Sequence, residues 1–549
     1  MDVKDVQREA QGIKLDELQI PDSRKTNSLK IEAQQDVYHH QEKLFRIIAT
    51  GALSIANPLL SSNSEKFEIV ALKKFKTSSG SIEHIFWYRG TPCQGMKLSL
   101  EFVEANNSSV KSEVTVKTGD SVRFIFTLYQ NLKRATYHII HRSLKGLIQD
   151  LENIFESNLK SIAKYQHAWY RRRGLTSGFE RAWIFIDRPL SADDNAEHLY
   201  RYVKKEHPEI NSFYMLKKES KDWLRLEREG FRLIPIGAPE WKAALLEAEA
   251  VLSSHMSLAS TNPLPFYFTR YVSRKFIFLR HGIGISNRHT WLNRRNVDLM
   301  VVSTPWEYEE LVEKDTFKFT EIDVKGTGIA RYDELFTAAT KHNKKDLETI
   351  LIMPTWRKEF VRFIGIKKGT RSIDTDAFKN SKFFLEWGSF LNNPILEQLG
   401  RDHGIRFRLL LHSNLISLLD FLEIPKHFEL HEATGDTFQQ ALLKSRALIT
   451  DYTSVAFDMA YINRPTLYLQ FDKNEFLQID NGQVRNLDYK NEGFGPVAAN
   501  NNELINNLSE FLVDGLDPKY VERMNEFFFY KDANSRKRIM DEVLKRVGP

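Results

Sequence analysis

The stretch ALITDYTSVAFDMAYINRP, residues 447–465, decides the fold class of this 549-residue chain. Its first residues are apolar or β-branched, which is typical of a buried strand, and a helical pattern follows Ser454. A strand that passes through a short polar turn into a helix is the unit of a parallel α/β sheet. Because ligands of such sheets bind at the carboxyl ends of the strands, the turn predicts a binding site.

Similar stretches recur from residue 182 onward, with helical segments between several of them. They fall into two sets, and this alternation predicts two Rossmann-like domains with a cleft between them. The first set is AWIFIDR (182–188), SFYML (212–216), RLIPIG (232–237), AVLSSH (250–255), KFIFLRH (275–281), LMVVST (299–304) and EIDVKG (321–326). The second set is TILIMPT (349–355), RFRLLLH (406–412), ALITDY (447–452) and TLYLQF (466–471).

The chain before residue 178 has a different character. Apolar residues in 35–58 predict a helix, short β-rich pieces in 67–128 predict a small antiparallel module, and 142–170 predict one long amphipathic helix. The predicted division is a polar arm and helix (1–60), a β module (61–135), a linker helix (136–177), a first Rossmann-like domain (178–343) and a second one (344–549).

The linker helix ends in Trp169, Tyr170 and the three arginines 171–173. An apolar stripe that ends in aromatic and basic residues can lie on an anionic bilayer, and it can equally be a strut between domains. The β module has no legible function; a docking element and a polymer-binding element both fit it.

Composition narrows the class of protein. Lys and Arg number 78 and Asp and Glu 72, a net charge of +6 that is too weak to indicate a nucleic-acid partner. One cysteine, Cys93, allows neither an intrachain disulfide nor a cysteine-based zinc site. There is no apolar run of bilayer-spanning length and no secretory signal pattern at the N-terminus. We therefore expect a cytoplasmic protein.

Polar residues follow the predicted strands at the edge where α/β enzymes place their sites. They are Asp187–Arg188, Ser253–Ser254–His255, His281–Gly282, Thr355–Trp356–Arg357, His412 and Asp451–Tyr452–Thr453–Ser454. His281 and His412 end strands of the two facing domains, and a neutral imidazole there is a candidate general base. Gly282 allows a ligand to approach the backbone closely. Isolated histidines are also often structural, and spacing alone leaves both readings open.

Thr453 or Ser454 is predicted to cap the helix of the opening stretch, where hydroxyls and free backbone N–H groups favour phosphate. Asp451 is a candidate acceptor for a ligand hydroxyl, or a simple helix cap. Arg357, with Arg331 of GTGIARYD, is a candidate bidentate phosphate ligand, although a structural carboxylate could occupy either arginine instead.

Several well-known functional motifs are incomplete or absent in this sequence. The two G-x-G pairs lack the third glycine in register, which argues against a nicotinamide cofactor, and neither a P-loop nor H-E-x-x-H is present. Asp374–Thr375–Asp376 lies in a polar stretch and is interpreted as a solvated loop. The sequence therefore predicts no metal and no cofactor.

Seven motifs taken in order resemble the CDP-glycerol glycerophosphotransferase family, the teichoic acid polymerases and their capsule-polymer relatives. The motifs are IDRPLSADDNAEHLYRY, AVLSSH, FIFLRHGIGI with TWLN, TGIARYD, PTWR, LLLH and LITDYTSVAFDMAYINRPTLYLQFD. The resemblance covers about residues 180–500. It implies an α/β fold of GT-B type, with glycerol phosphate transferred from CDP-glycerol to a hydroxyl of a growing chain and CMP released.

The resemblance also implies roles for residues and partners. Its catalytic histidines fall on His281 and His412. We expect donor and phosphate contacts from Arg357, Thr355, Asp451, Thr453, Ser454 and Asp458. We expect the acceptor side to include Asp187, Arg188, Ser254, Gly282 and Arg331. The expected partners are CDP-glycerol, a glycerophosphate-primed lipid-linked or oligomeric acceptor, and the anionic inner face of the cytoplasmic membrane.

Two alternatives remain open at this stage. A ribitol phosphate transferase, or a transferase of another CDP-activated polyol or sugar phosphate, would use the same scaffold. A non-catalytic scaffold for polymer assembly belongs to another class, and the intact strand-end histidines argue against it.

Overall fold

The computed structural model describes residues 163–264, 274–284, 289–341, 347–355, 357, 360–363, 371–411, 419–431, 436–479 and 487–547, and eight strands before residue 116. The described strands form one antiparallel sheet, two parallel sheets and one short hairpin. The hairpin pairs β17 (Val361–Phe363) with β18 (Arg371–Ile373).

The eight N-terminal strands make a single antiparallel sheet in the order β1-β2-β3-β6-β5-β4-β7-β8. They are β1 (Ile13–Lys14), β2 (Lys30–His39), β3 (Leu44–Gly51), β4 (Ala56–Ser62), β5 (Lys66–Lys76), β6 (Ile82–Arg89), β7 (Lys97–Val103) and β8 (Ser109–Thr115). The antiparallel module is thus confirmed, but the helix predicted over 35–58 is wrong.

Those residues contribute to β2, β3 and β4, and β3 pairs along its whole length with β6. The run LFRIIATG fits a strand as well as a helix, since short apolar runs with β-branched residues are ambiguous by periodicity alone. The module therefore begins before the predicted boundary at residue 60. The predicted strand at 122–128 and the linker helix before residue 163 lie outside the described residues.

The first α/β domain contains a seven-stranded, wholly parallel sheet in the order β11-β10-β9-β12-β13-β14-β15. Its strands are β9 (Ala182–Ile186), β10 (Ser212–Leu216), β11 (Leu233–Pro235), β12 (Ala248–Ser253), β13 (Lys275–Phe278), β14 (Leu299–Val302) and β15 (Val324–Gly326). All seven strands predicted from the sequence are confirmed.

The second α/β domain contains a six-stranded parallel sheet in the order β20-β19-β16-β21-β22-β23. Its strands are β16 (Thr349–Met353), β19 (Arg406–Leu409), β20 (Phe428–Leu430), β21 (Ser445–Thr450), β22 (Thr466–Leu469) and β23 (Val497–Ala498). The four predicted strands are present, and the short edge strands β20 and β23 are additional.

Helices cover the faces of both parallel sheets. In the first domain they are α1 (residues 163–172), α2 (Asn195–Glu206), α3 (Trp223–Arg228), α4 (Pro239–Glu247), α5 (Leu258–Thr261), α6 (His289–Leu292), α7 (Pro305–Tyr308), a π-helix (Glu309–Glu313) and α8 (Tyr332–Ala339). In the second they are α9 (Thr375–Lys379), α10 (Lys382–Leu391), α11 (Pro394–His403), α12 (Leu419–Leu422), α13 (Phe438–Lys444), α14 (Val455–Tyr461), α15 (Lys473–Ile479), α16 (Tyr489–Glu492), α17 (Asn501–Asp514) and α18 (Pro518–Glu526). The chain ends in α19 (Ser535–Val547).

The last helix returns to the first domain. Arg536 of α19 pairs with Glu334 of α8 at 2.7 Å, and the Arg546 guanidinium donates to the backbone oxygen of Asp298 at 2.9 Å. The predicted division gave residues 344–549 to the second domain, whereas this helix contacts the first. A single apolar cluster continues from Tyr332 of α8 to Tyr461 of α14, whose rings stack at 4.1 Å.

The β module is attached to the first domain by a buried lysine. Lys73 of β5 is 5% exposed, and its ammonium donates to the backbone oxygens of Val312 and Lys314 at the end of the π-helix. Carbonyls at a helix C-terminus carry partial negative charge, which favours a cation there. Burial is the main reason that the pKa of Lys73 is lowered.

Candidate active site

Asp187, directly after β9, holds the start of α2 in place. Its carboxylate accepts the backbone N–H groups of Ala196 and Glu197 at 2.9 and 3.0 Å and hydroxyl hydrogen bonds from Tyr214 and Ser254. Asp187 is 1% exposed and Ser254 3% exposed. Burial, with a contribution from nearby Asp194, raises the pKa of Asp187 to about 7. Both side chains have partners inside the domain, and the acceptor contacts of Asp187 and Ser254 stay predictions.

Asp194 is the residue that α2 presents to the cleft. It is the N-cap of that helix, with its Oδ1 accepting from the backbone N–H of Asn195 at 2.8 Å. The same Oδ1 accepts from Arg331 at 2.7 Å, while Oδ2 lies 4.0 Å from Nδ1 of His281. Asp194 was not among the site residues predicted from the sequence. Its signal was the ADDN run immediately before an amphipathic helix, which is an N-cap pattern.

His281 stands on a constrained backbone just beyond β13. The preceding residue, Arg280, has a φ of +56°, and an ion pair of 3.0 Å to Glu307 fixes its guanidinium. Non-glycine residues in this region cost energy and are held by their surroundings, most often near functional sites. Asn195 contributes to this by donating to the Arg280 carbonyl at 2.9 Å. The site-facing position of His281 is therefore imposed by buried neighbours.

The His281 imidazole is open to the cleft, with 58% of the side chain exposed. Desolvation lowers its pKa, and the positive charges of Arg331 and Arg188 lower it further, to about 4. Desolvation and the neighbouring cations act in the same direction, because both disfavour the protonated imidazole. At neutral pH the imidazole is uncharged, the state in which a histidine can accept a proton.

The second domain brings Ser454 to the same place. A Cβ added to Gly282 would lie 3.5 Å from Ser454 Oγ and 3.9 Å from Arg331 Nη2. The glycine next to the candidate base therefore faces the serine hydroxyl across the cleft. The two domains therefore meet at the turn of residues 451–454, between β21 and α14.

The turn itself differs from the expectation in one respect. Helix α14 begins at Val455, and Ser454 makes no side-chain cap to it. Thr453 Oγ1 lies 3.4 Å from the Val455 backbone nitrogen, a long contact for a cap. Ser454 has no side-chain hydrogen bond to any described residue, so its hydroxyl remains available to a ligand.

Asp451 and Arg357 form an internal ion pair. Asp451 is fully buried, accepts the backbone N–H groups of Thr355 and Tyr452 at 2.9 and 2.7 Å, and pairs with Arg357 at 2.9 Å. Arg357 also pairs with Asp472 at 2.8 Å. A buried guanidinium needs carboxylate partners, and these two occupy it. In this structure both side chains are engaged within the second domain, and the phosphate contact of Arg357 and the hydroxyl contact of Asp451 stay predictions.

Arg331 and Asp458 likewise bind each other. The Nε and Nη2 atoms of Arg331, in the first domain, donate to Asp458 Oδ1, in the second, at 2.9 and 2.7 Å. Both residues are buried, at 4% and 2% exposure. The two residues are thus joined across the domain boundary, and the acceptor-side role of Arg331 and the nucleotide contact of Asp458 stay predictions.

Residues 175–545, more than half of the chain, match the model of the family described as CDP-Glycerol:Poly(glycerophosphate) glycerophosphotransferase. The chain belongs to this family. The resemblance drawn from the motifs is confirmed.

Relatives of this chain from the glycerophosphotransferase family have names that assign them to teichoic acid synthesis. It is 31% identical over 371 residues to the minor teichoic acid biosynthesis protein GgaB of Bacillus subtilis, a match that covers 66% of the chain and 39% of GgaB. It is 20% identical over 479 residues to the teichoic acid poly(glycerol phosphate) polymerase of Bacillus subtilis, covering 82% and 60%. The chain thus spans between about two fifths and three fifths of the length of these relatives.

Solved structures of a teichoic acid polymerase have the same fold as this glycerophosphotransferase-family chain. The wall teichoic acid polymerase TagF has a TM-score of 0.50 at 16% identity, over 77% of this chain and 98% of that one. A variant of the same polymerase has a TM-score of 0.51, over 78% and 98%. The predicted α/β architecture of two parallel-sheet domains, of GT-B type, is confirmed.

Three further site residues were predicted from the sequence of this glycerophosphotransferase-family chain, namely Arg188, Thr355 and His412. Arg188 is exposed and makes no side-chain hydrogen bond or ion pair with the described residues, and its charge influences both His281 and His255. Thr355 Oγ1 is buried and has no hydrogen-bond partner among the residues that the structure describes. His412 lies outside the described residues, and its catalytic role stays a prediction.

Proposed function

We propose that the chain transfers glycerol phosphate from CDP-glycerol to a hydroxyl of a growing poly(glycerol phosphate)-type chain, with release of CMP. One observation carries this proposal. A neutral, solvent-open imidazole, His281, stands beside a glycine that faces the uncapped Ser454 hydroxyl of the opposite domain, in a chain of the glycerophosphotransferase family. The TagF structures include a variant soaked with CDPG, which supports a cytidine donor for a protein of this fold.

In the proposed reaction the acceptor hydroxyl attacks the phosphorus that carries the glycerol. A new P–O bond forms, the P–O bond to the bridging oxygen breaks, and CMP leaves with that oxygen. His281 takes the proton of the attacking hydroxyl, which a base with a lowered pKa does in its neutral form. The proton then passes to solvent when the product leaves.

The transferred phosphoryl group and the departing CMP carry the developing negative charge. We assign hydrogen-bond donation to Ser454 and Thr453 on the donor side and positive charge to the exposed Arg188 on the acceptor side. Arg357 and Arg331 contribute by holding the two domains' turns in position, since their guanidinium groups are already occupied.

The direct test is incubation with CDP-glycerol and a glycerophosphate-primed oligomer, followed by mass spectrometry. We expect CMP release and primer masses that grow in steps of one glycerol phosphate. Primer that stays unchanged while the folded protein is present would contradict the proposal.

A second candidate donor is another CDP-activated polyol or sugar phosphate. GgaB, the 31% identical relative, is named for a minor teichoic acid and not for glycerol phosphate, and a 27% identical match over 124 residues is a poly(ribitol-phosphate) polymerase. Parallel assays with CDP-glycerol and CDP-ribitol separate the two, because the correct donor alone gives primer-dependent CMP release.

We further propose that α1 contacts an anionic membrane surface. Tyr165 and Trp169 are 73% and 43% exposed on this helix, and Arg172 and Arg173 are exposed beside them. Aromatic rings with adjacent arginines suit the interface of an anionic bilayer, where a lipid-linked acceptor would be held. Among the described helices, none combines the length and apolar character of a bilayer-spanning segment.

A further inference from the structure

The guanidinium of Arg331 contacts both domains at the candidate active site. Two of its nitrogens bind Asp458 of α14, as described above, and the third, Nη1, donates to Asp194 Oδ1 and to the backbone oxygen of His281, each at 2.7 Å. Arg331 is planar, rigid and 4% exposed. One side chain therefore joins the helix that follows Ser454 to the backbone that carries the imidazole.

We propose that Arg331 is a positioning residue that couples the apposition of the two domains to His281. The proposal rests on the proposed function for the role of the imidazole, but its structural content does not. If the two domains separate, Asp458 moves away and the buried guanidinium keeps one carboxylate, Asp194. Its contacts to Asp194 and to the His281 carbonyl must then rearrange, because a buried charge with half its partners is unfavourable.

The same contacts of Arg331 also fix the positions of the other groups around His281. Asp194 receives Arg331 on Oδ1, which leaves Oδ2 facing Nδ1 of His281 at 4.0 Å. Ser454 lies four residues before Asp458, so the contact that holds α14 also sets the distance from Ser454 Oγ to Gly282. Donor-side hydroxyl and acceptor-side base are thus placed by one ion pair.

Charges that face His281 come from several elements. They are Arg188 after β9, Asp194 before α2, His255 after β12, Arg280 at the end of β13, Arg331 before α8 and Asp458 on α14. Arg331 lowers the pKa of His281 and Asp458 raises it. The two members of the ion pair therefore act on the pKa of the imidazole with opposite signs.

The test uses three variants of the full chain and two readouts. The pKa of His281 is measured by NMR on protein with ¹³C-labelled histidine, its signal assigned with His281→Gln, and kcat and KM are measured with CDP-glycerol and an oligomeric primer. We expect Arg331→Met to raise the pKa of His281 by about 1 pH unit, and Asp458→Asn not to raise it. Arg331→Lys keeps the charge but lacks the fork, so we expect a low pKa with kcat reduced about tenfold or more.

A matched control is Arg536→Met, which removes another arginine that joins the chain's last helix to α8 but lies away from His281. We expect this control to leave the pKa of His281 unchanged. Equal upward shifts in Arg331→Met and Asp458→Asn, or full kcat in Arg331→Lys, would overturn the proposal. If Arg331→Met does not fold, the other two variants still decide it. If the wild-type chain does not turn over CDP-glycerol, the proposed function fails while the NMR readout still tests the coupling.

Discussion

At the scale of single residues, His281 is the side chain on which the proposed chemistry depends. We expect His281→Ala to lower kcat by about 10²–10⁴-fold, the usual contribution of a general base, while CDP-glycerol binding persists. Rates from CMP release and affinities from calorimetry check this on the same folded protein. Wild-type turnover in the variant would remove His281 from the catalytic role.

The lowered pKa of His281 gives a pH prediction with a definite sign. A base is active when it is unprotonated, so activity should persist as the pH falls below 6.5 and decline only as it approaches about 4. Initial rates between pH 4 and 8, with circular dichroism at each pH to confirm folding, measure the acidic limb. An apparent pKa near 6.5 in folded enzyme would show that desolvation and the surrounding cations do not lower the pKa of His281 as described.

Ser454 is the donor-side counterpart at this scale. We expect Ser454→Ala to weaken CDP-glycerol binding by about 1.5–3 kcal/mol, because a hydrogen bond to a charged phosphate is lost and nothing in the described fold depends on that hydroxyl. Calorimetric titration gives the affinity. Ser509→Ala is a suitable control, since that hydroxyl bonds the backbone inside α17. Unchanged affinity in Ser454→Ala would place the donor phosphates elsewhere.

At the scale of elements, the strand-end turns are held together by the ion pair of Arg357 with Asp451 and Asp472. Removing one partner of a buried pair leaves uncompensated charge, so Arg357→Met should lower the free energy of unfolding by about 3–5 kcal/mol. Urea denaturation measures this, with the exposed Arg401→Met as the control, because its ion pair to Glu397 lies on the surface. A loss below about 1 kcal/mol would contradict the structural role.

The membrane proposal belongs to one element, α1. Arg171 of this helix pairs with Glu247 through two contacts of 2.7 Å, so it is left intact. We expect Arg172→Glu with Arg173→Glu to reduce sedimentation with anionic liposomes, since each arginine near such a surface contributes about 1 kcal/mol that salt screens. The control is Lys218→Glu with Arg228→Glu, two exposed reversals away from α1. Equal sedimentation of the two double variants would indicate that α1 is a strut between domains and does not contact the membrane.

Sequence reasoning reached the elements more completely than the contacts. The parallel strands were predictable because each is a short apolar run bounded by turns, and their carboxyl ends located the site. The partners of Arg331, Arg357 and Asp451 were not, since nothing in a linear pattern says which carboxylate will be buried beside which arginine. The helix predicted over 35–58 failed for a related reason: pairing with β6, distant in sequence, decided its conformation.

At the scale of the whole molecule, we expect turnover without a divalent metal. The one D-x-D motif is committed to folding, because Asp374 caps α9 by accepting the Ala377 backbone N–H at 3.0 Å. Rates in EDTA should equal those in buffer, with Asp374→Asn as a variant that keeps the cap acceptor. Loss of activity in EDTA that Mg²⁺ restores would overturn this expectation.

The position of α1 also sets the distance between the active site and a membrane that binds this helix. Arg171 and His167 bind Glu247, the residue before β12, so α1 lies at the amino ends of the strands, whereas His281 follows their carboxyl ends. A five-residue strand such as β9 is about 17 Å long. If α1 rests on the bilayer and the strands run away from it, the active site is held about one strand length above the lipid headgroups. The nascent polymer must then span that gap, and a lipid-attached primer too short to do so would be elongated slowly until it is long enough.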